Sequence, residues 1–365
     1  LSSLMNMKRG IAIAGTHGKT TTTSLVASIL TEAGLDPTFI NGGIINSFAS
    51  NAKLGKGDYL VAEADESDKS FLMLQPSLAI ITNIEADHLI NYDNSFDKLR
   101  QAFLDFVKRL PFDGLLISCG DDPEIRKLLP EFSRSNVTYG FDESNDYVLS
   151  NYKSNNFRST FSLSHENQLI SIDLNMLGRH NALNASAACV LALEEGVDVL
   201  KIQHALKNFM GINRRMQVLG DIKIKNSIST LIDDYGHHPS EIRSTIDSIR
   251  ESHPEKKLTM VFQPHRYSRT KDLFEEFIEV LQTVDQLILL DIYSAGEELI
   301  KNYESKDLLR RLRKTALKVC LSEESTLDSS IVEALGNDEG ILLMQGAGNI
   351  SKFSPLTLKV PLKKF

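Results

Sequence analysis

Excess positive charge is the first thing this chain lacks. Its 40 Lys and Arg stand against 48 Asp and Glu, giving a formal net charge of -8, which argues against nucleic acid as a general partner. Cysteine is scarce. Cys119, Cys189 and Cys320 are widely spaced with no Cys-x-x-Cys pair, so neither a zinc site nor a disulfide framework is indicated. A reducing, cytoplasmic setting fits that usage. No apolar run approaches the roughly 20 residues that span a bilayer, so no membrane insertion is expected. Residues 11–14 form the longest early apolar run, too short for an export signal. Internal repeats and low-complexity segments are absent. An initiator methionine is absent too. Leu1-Ser2-Ser3-Leu4-Met5-Asn6-Met7-Lys8 reads as the last turns of an amphipathic helix running straight into a strand, and an upstream segment is expected.

What is present is ordinary globular composition, 42% hydrophobic and 24% charged over 365 residues, a length that suggests two domains. The chain is organised around Ile11-Ala12-Ile13-Ala14-Gly15-Thr16-His17-Gly18-Lys19-Thr20-Thr21-Thr22-Thr23. The apolar run reads as a buried parallel strand. It breaks at Gly15, turns, and reaches Gly18-Lys19-Thr20, with helix-compatible sequence over 21–33. Strand, glycine turn, Lys-Thr and helix together make a phosphate cradle, in which turn and helix N–H groups face the anion. Lys19 would reach the outer phosphates and the Thr20 hydroxyl would ligate Mg²⁺. Ile13 stands where the strict pattern wants its first glycine, so the spelling here is the shorter Gly-Thr-x-Gly-Lys-Thr.

Further strands are expected at 37–41, 59–64, 78–83 and 115–118, with helices at 96–110 and after Asp121-Asp122-Pro123. That alternation implies a mostly parallel sheet. Residues 147–174 alternate polar and apolar, as in an antiparallel hairpin or meander appended to the sheet. Gly178-Arg179-His180-Asn181-Ala182-Leu183-Asn184 opens an Ala-rich helix, and a short helix follows over 199–209. Gly211-Ile212-Asn213-Arg214-Arg215 reads as a hinge between a domain at 1–212 and a smaller α/β domain at 213–365. The second domain has strands expected at 230–234, 258–262, 286–290 and 340–344.

Glu63 ends one strand and His88 follows another, so both belong at the carboxyl edge where ligands collect. Near phosphates they read as Mg²⁺ ligands or as groups just behind them, or else as a solvated strand end and a helix-capping histidine. Asp65, Glu66 and Asp68 read as a solvated or helix-capping loop rather than a second metal cluster. In Asp233-Asp234-Tyr235-Gly236-His237-His238-Pro239 a carboxylate could accept from ribose hydroxyls, and Tyr235 or His237 could pack on a base. Zinc is disfavoured there, because adjacent residues do not share a face. Arg266 and Arg269 share a face if their helix has begun, and suit a carboxylate or phosphate; a solvated basic helix start is the alternative. Gln345-Gly346-Ala347-Gly348-Asn349 is a weak hint of a close backbone–ligand approach.

Six motifs in order resemble the Mur ligase family: Gly15-Thr16-His17-Gly18-Lys19-Thr20, Glu63-Ala64-Asp65-Glu66-Ser67-Asp68, Thr82-Asn83-Ile84-Glu85-Ala86-Asp87-His88, the stretch from Gly178 to Asn184, Asp234-Tyr235-Gly236-His237-His238-Pro239, and His265-Arg266-Tyr267-Ser268-Arg269-Thr270. The resemblance covers nearly the whole chain. It implies a P-loop ATPase domain followed by a smaller Rossmann-like domain, and an ATP- and Mg²⁺-dependent amide ligation that adds L-alanine to UDP-N-acetylmuramate through an acyl phosphate in peptidoglycan precursor synthesis. Ligation of a preformed peptide to the same sugar nucleotide is the nearest alternative; Glu66-Ser67-Asp68 and Ile84-Glu85-Ala86 favour alanine. Folate-type relatives share the fold, but their folate-loop features are not seen. A nucleotide-binding module without ligase activity is the reading from another class.

By resemblance, Gly15, Thr16, His17, Gly18, Lys19, Thr20 and Thr21 cradle ATP, and Lys19 neutralises the transferring phosphate. Thr20 and Glu63 hold one Mg²⁺, and His88 stands at a second. Asn184 matches an adenine contact, Arg215 an arginine crossing from the hinge to ATP, Asp234 the ribose or hinge carboxylate, and His237 a group near the base. Arg266 and Arg269 would meet the acyl phosphate and the alanine carboxylate. Asn213 replaces a glycine usual in the hinge, a change that Asn's tolerance of left-handed backbone would soften. A carbamylated lysine used by some relatives has no identified counterpart. Relatives also carry an N-terminal domain that grips UDP, so this chain is expected to bind ATP but to use UDP-muramate poorly, remote binding energy being lost.

Overall fold

The computed structural model describes residues 1–87, 89–224, 227–336 and 339–353. The chain divides into two compact units, one spanning Leu1–Asn213 and the other beginning at Arg214.

The first unit is built on a ten-stranded sheet. After a single turn of helix (α1, Ser2–Met5) come β1 (Arg9–Ala14), the helix α2 (Lys19–Glu32), β2 (Thr38–Ile45), β3 (Ser50–Lys53), β4 (Tyr59–Glu63) and β5 (Leu78–Ile81). Then follow α3 (Phe96–Val107), β6 (Leu115–Cys119), α4 (Pro123–Leu128), β7 (Ser135–Gly140), β8 (Tyr147–Asn155), β9 (Arg158–His165), β10 (Gln168–Leu174), α5 (Arg179–Glu194) and α6 (Val199–Lys207). Strand order is β10-β9-β8-β7-β6-β5-β1-β4-β2-β3. Pairing is parallel from β2 through β8, and antiparallel for the meander β8–β10 and the edge pair β2–β3. The meander is continuous with the main sheet.

Ile11, Ala12, Ile13 and Ala14 are all fully buried, as a central parallel strand covered on both faces requires. On one flank α2 packs against the Ala-rich α5 and against α6. Five buried residues of α5 are alanines (Ala182, Ala185, Ala187, Ala188 and Ala192), and Thr20 to Thr23 of α2 are buried too. Register sets the site. Ile13 lies beside Glu63 on one side and Ile80 on the other, and Ile40 lies beside Ala62. The carboxyl ends of β1, β4, β5 and β2 therefore open at one edge.

The second unit carries β11 (Gln217–Ile224), β12 (Ser227–Asp234), α7 (Pro239–Ser252), β13 (Lys257–Phe262), α8 (Tyr267–Asp272), α9 (Phe274–Leu281), β14 (Gln286–Leu289), α10 (Ser305–Leu312), β15 (Lys318–Leu321), α11 (Leu327–Leu335) and β16 (Gly340–Gln345). Its six strands run β11-β12-β16-β13-β14-β15, parallel except for β11 against β12. Asp234 and Phe262 both lie beside Gln345, so the residues following β12, β13 and β16 share the carboxyl edge.

Strands β3, β7, β11 and β15 go beyond those expected from sequence. They are edge or half-exposed strands of mixed polarity, without the apolar run or clean alternation that marks a strand. β2 continues through Gly42-Gly43 to Ile45, with a register shift between Ile40 and Ile45, instead of stopping at the glycines.

Candidate active site

The phosphate loop leaves β1 at Gly15, whose φ is 131° and where a Cβ would lie 2.1 Å from Thr82 Oγ1. Only glycine lets the loop run this close to the end of β5. Thr82 and Asn83 then buckle it from beneath. Thr82 Oγ1 donates to His17 O at 2.6 Å and Asn83 Nδ2 to the same oxygen at 2.9 Å, while Asn83 Oδ1 accepts from His17 N at 2.7 Å. Thr16 N donates to Asn83 O at 3.1 Å, and Thr16 Oγ1 accepts from Glu85 N at 2.8 Å. His17 Nε2 lies 3.3 Å from Glu85 Oε2. Gly18 (φ 83°) precedes the helix, so the free N–H groups of its first turn (Lys19, Thr20 and Thr21) open toward the loop. A Cβ at Gly18 would lie 2.4 Å from Asn184 Oδ1. Asn184 is buried on α5 beside this turn, within 3.4 Å of Asn181 Oδ1.

Thr20 Oγ1 donates to the Glu63 carboxylate, 3.0 and 3.1 Å from its oxygens, and Gly42 N donates to Glu63 Oε2 at 2.8 Å. The Thr20 backbone is engaged from behind: Ser24 Oγ donates to Thr20 O at 2.8 Å, and Asn41 Nδ2 donates to Ser24 Oγ at 2.9 Å. A hydroxyl from the first turn of α2 and a carboxylate from the end of β4 are oxygen donors suited to a hard divalent cation. Lys19 Nζ donates to Gly15 O at 2.6 Å, to Thr16 O at 3.1 Å and to Glu66 Oε2 at 2.6 Å.

Glu66 is the residue that sequence reading misplaced. Its neighbours do shape the loop, Asp65 accepting from Ser67 N at 2.9 Å and Asp68 from Ser70 N at 2.8 Å. Glu66 instead turns inward, and burial pushes its carboxyl above the ordinary range against the pull of Lys19. One charged side chain in an acidic run carries no sequence signal of which way it faces. His88 lies outside the described residues.

In the second unit Asp234 is saturated. Oδ2 accepts from Met216 N at 2.8 Å, and Oδ1 from Gly236 N at 2.9 Å, Gln345 Nε2 at 2.7 Å and Thr245 Oγ1 at 3.3 Å. The hinge bends at Gly211 (φ 76°), Arg214 (φ 60°) and Met216 (φ 48°), so Asn213 is not asked for the left-handed conformation. The Tyr235 ring, expected as a possible base platform, carries the guanidinium groups of Arg214 and Arg215 at 5.0 and 5.1 Å. Beside them Asp233, 3.6 Å from Arg214, is raised to about 6 by burial.

His237 N donates to Glu241 Oε2 at 2.9 Å, and burial lowers the His237 imidazole to about 4. Burial and Arg269 lower His265 to about 4 as well. Arg266 caps α8 from outside, with φ 73°, so it and Arg269 do not share a helix face. Arg269 Nη1 lies 3.3 Å from both His265 O and His265 Nδ1, while Arg266 Nη1 is 3.7 Å from Glu297 Oε1. The glycines after β16 lie close against Gln263 of their own chain. Cβ atoms at Gly346 and Gly348 would lie 2.6 Å from Gln263 O and 2.4 Å from Gln263 Oε1.

Comparison with known proteins meets this geometry at both units. Residues 13–192 match the Mur ligase middle domain and residues 214–348 the Mur ligase glutamate ligase domain. A UDP-N-acetylmuramate–L-alanine ligase of Baumannia cicadellinicola is 50% identical over 358 residues, 96% of this chain and 73% of that protein. The chain belongs to the Mur ligase family. Among solved Mur ligases, the UDP-N-acetylmuramate–alanine ligase of Thermotoga maritima superposes with a TM-score of 0.81 at 29% identity, over 98% of this chain and 76% of its own. A murein peptide ligase from Psychrobacter arcticus reaches 0.67 at 23% identity, over 97% and 77% of the two chains, which shows the shared fold. A MurF ligase of Thermotoga maritima, also alike in fold (TM-score 0.71, 17% identity, 94% of this chain and 77% of that one), was solved with ADP. Among the described residues no helix is long and apolar enough to cross a membrane.

Proposed function

We propose that this Mur ligase joins L-alanine to UDP-N-acetylmuramate at the expense of ATP. The observation that carries the reading is a phosphate loop with Lys19, Thr20 and Glu63 at one sheet edge, in a chain half identical to an alanine-adding ligase. The γ-phosphoryl group passes to the muramate carboxylate, ADP leaves, the alanine amine attacks the acyl carbon, and phosphate departs as the amide forms and the amine loses a proton. Positioning and charge neutralisation carry most of such catalysis.

The loop from Gly15 to Gly18 and the first turn of α2, through Thr21, offer N–H groups to the phosphates, and Lys19 offers its ammonium. Thr20 and Glu63 would hold Mg²⁺, with His88 assigned to a second ion; the metal supplies charge neutralisation on the phosphate oxygens. Asn184, beside Gly18, is assigned to the adenine side of the site. Arg215 and His237 are assigned to nucleotide binding, with Asp234 fixing the hinge backbone next to them. Arg266 and Arg269 are assigned to anionic groups of the acyl phosphate and of alanine. With ATP as co-substrate, the reaction is assigned to the cytoplasm.

The test uses protein from the complete reading frame, supplied with UDP-N-acetylmuramate, ATP, Mg²⁺ and L-alanine. One ADP, one phosphate and one UDP-N-acetylmuramoyl-L-alanine should form together, identified by mass. Preference for L-alanyl-D-glutamyl-diaminopimelate over L-alanine in direct competition would replace this reading with peptide recycling.

A further inference from the structure

Lys19 does not wait with an open ammonium. A lysine has three N–H donors, and here they meet Gly15 O at 2.6 Å, Thr16 O at 3.1 Å and Glu66 Oε2 at 2.6 Å. The Glu66 side chain is 2% exposed and that of Lys19 12%. Glu66 is also fastened through its backbone, where its carbonyl oxygen accepts from the Tyr92 hydroxyl at 2.5 Å and from Lys69 N at 3.1 Å. Tyr92 is itself buried, so the backbone that carries the Glu66 carboxylate is anchored on the buried side.

We propose that Glu66 is the resting counter-ion of the phosphate-loop lysine, and that a bound polyphosphate must take the ammonium away from it. Glu66 thereby sets how strongly the loop binds nucleotide and how sharply it favours polyphosphates over a monophosphate. This rests on the phosphate-binding role given to Lys19 above. Taking one partner from a buried ion pair leaves the other charge uncompensated, which is costly. That cost is subtracted from every binding event that recruits Lys19. The highly charged tail of ATP can meet it, whereas AMP has no outer phosphate with which to draw the lysine out. Glu66 therefore acts through Lys19 as a positioning residue and needs no contact with substrate.

Glu66→Gln keeps the shape and one acceptor oxygen but removes the charge that competes for the ammonium. Titration calorimetry with ATP and with AMP, on wild type, Glu66→Gln, Lys19→Ala and the double variant, gives the test. Glu66→Gln should bind ATP tighter by on the order of tenfold and leave AMP within about twofold. In the Lys19→Ala background the same change should leave ATP binding within about twofold. A merely structural glutamate gives the opposite pattern, with weaker binding of both nucleotides. No gain for ATP, or equal gains for ATP and AMP, overturns the proposal. Unchanged ATP binding by Lys19→Ala would instead remove the phosphate-loop reading beneath it. Should Glu66→Gln fail to fold, Glu66→Asp lengthens the pair by one methylene; a smaller gain for ATP alone is then expected, and no gain overturns the idea.

Discussion

At the scale of single residues, the nucleotide site depends on two kinds of group. Some touch the ligand and some make room. Gly15 makes room: its φ of 131° and the 2.1 Å approach of its absent Cβ to Thr82 Oγ1 forbid any side chain. Gly15→Ala should cost the first unit about 2–3 kcal/mol through backbone strain and overlap, read as a fall in Tm of the order of 5–10 °C, together with loss of ATP binding. An unshifted Tm would mean that the loop is looser than its hydrogen bonds imply. Glu63 belongs to the other kind. Glu63→Gln keeps an acceptor for Thr20 and Gly42 but removes the charge, so the Mg²⁺ concentration for half-maximal ligation should rise about 10–100-fold. A metal titration of activity checks this, and an unmoved midpoint would take Glu63 out of the metal site.

At the scale of elements, α2 and α5 behave as one piece. The two helices pack together, and Asn184 on α5 occupies the space beside Gly18. Ala188 is fully buried on α5. Ala188→Leu should cost about 1–3 kcal/mol by overpacking and weaken ATP binding as well, although Ala188 is given no contact with nucleotide. Thermal melts and ATP titration on the same sample test the link; lost stability with intact ATP affinity would break it. These elements were legible in the sequence wherever pattern is strong. The buried strand of Ile11 to Ala14, the Ala-rich helix after Gly178 and the alternating meander all announce themselves by period or composition. What stayed hidden depends on neighbours far away in the chain. Half-exposed strands of mixed polarity such as Ser135–Gly140 owe their existence to the strands on either side of them. The inward turn of Glu66 needs Lys19 as its partner, and the engagement of Tyr235 needs two arginines overhead. The start of α8 at Tyr267 rather than Arg266 is a matter of one backbone angle, and it decides whether two arginines share a face.

At the scale of the whole molecule, buried groups of the second unit contribute opposed titrations to acid stability. His237 and His265, lowered to about 4, favour their neutral forms when folded. Their contribution is present above about 6.5 and is lost as pH falls toward 4. Asp233, raised to about 6, favours its protonated form when folded. Its contribution is present below about 4 and is lost as pH rises through 6. The two effects oppose each other over the same window. Asp233→Asn removes the carboxylate's half, so its Tm should climb more steeply from pH 4 to 6.5 than that of wild type. Parallel Tm profiles would show that Asp233 does not titrate there.

The pairing of α2 with α5 also has a consequence in time. α2 ends at Glu32 and its partner begins at Arg179. At translation rates of roughly 5–20 residues per second, the first helix waits on the order of 7–30 s for the second to leave the ribosome. Over that interval α2, whose Leu25, Val26, Ile29 and Leu30 are buried in the folded protein, stands without the helix it packs against, a window in which a chaperone can hold the phosphate loop before its helical partner exists.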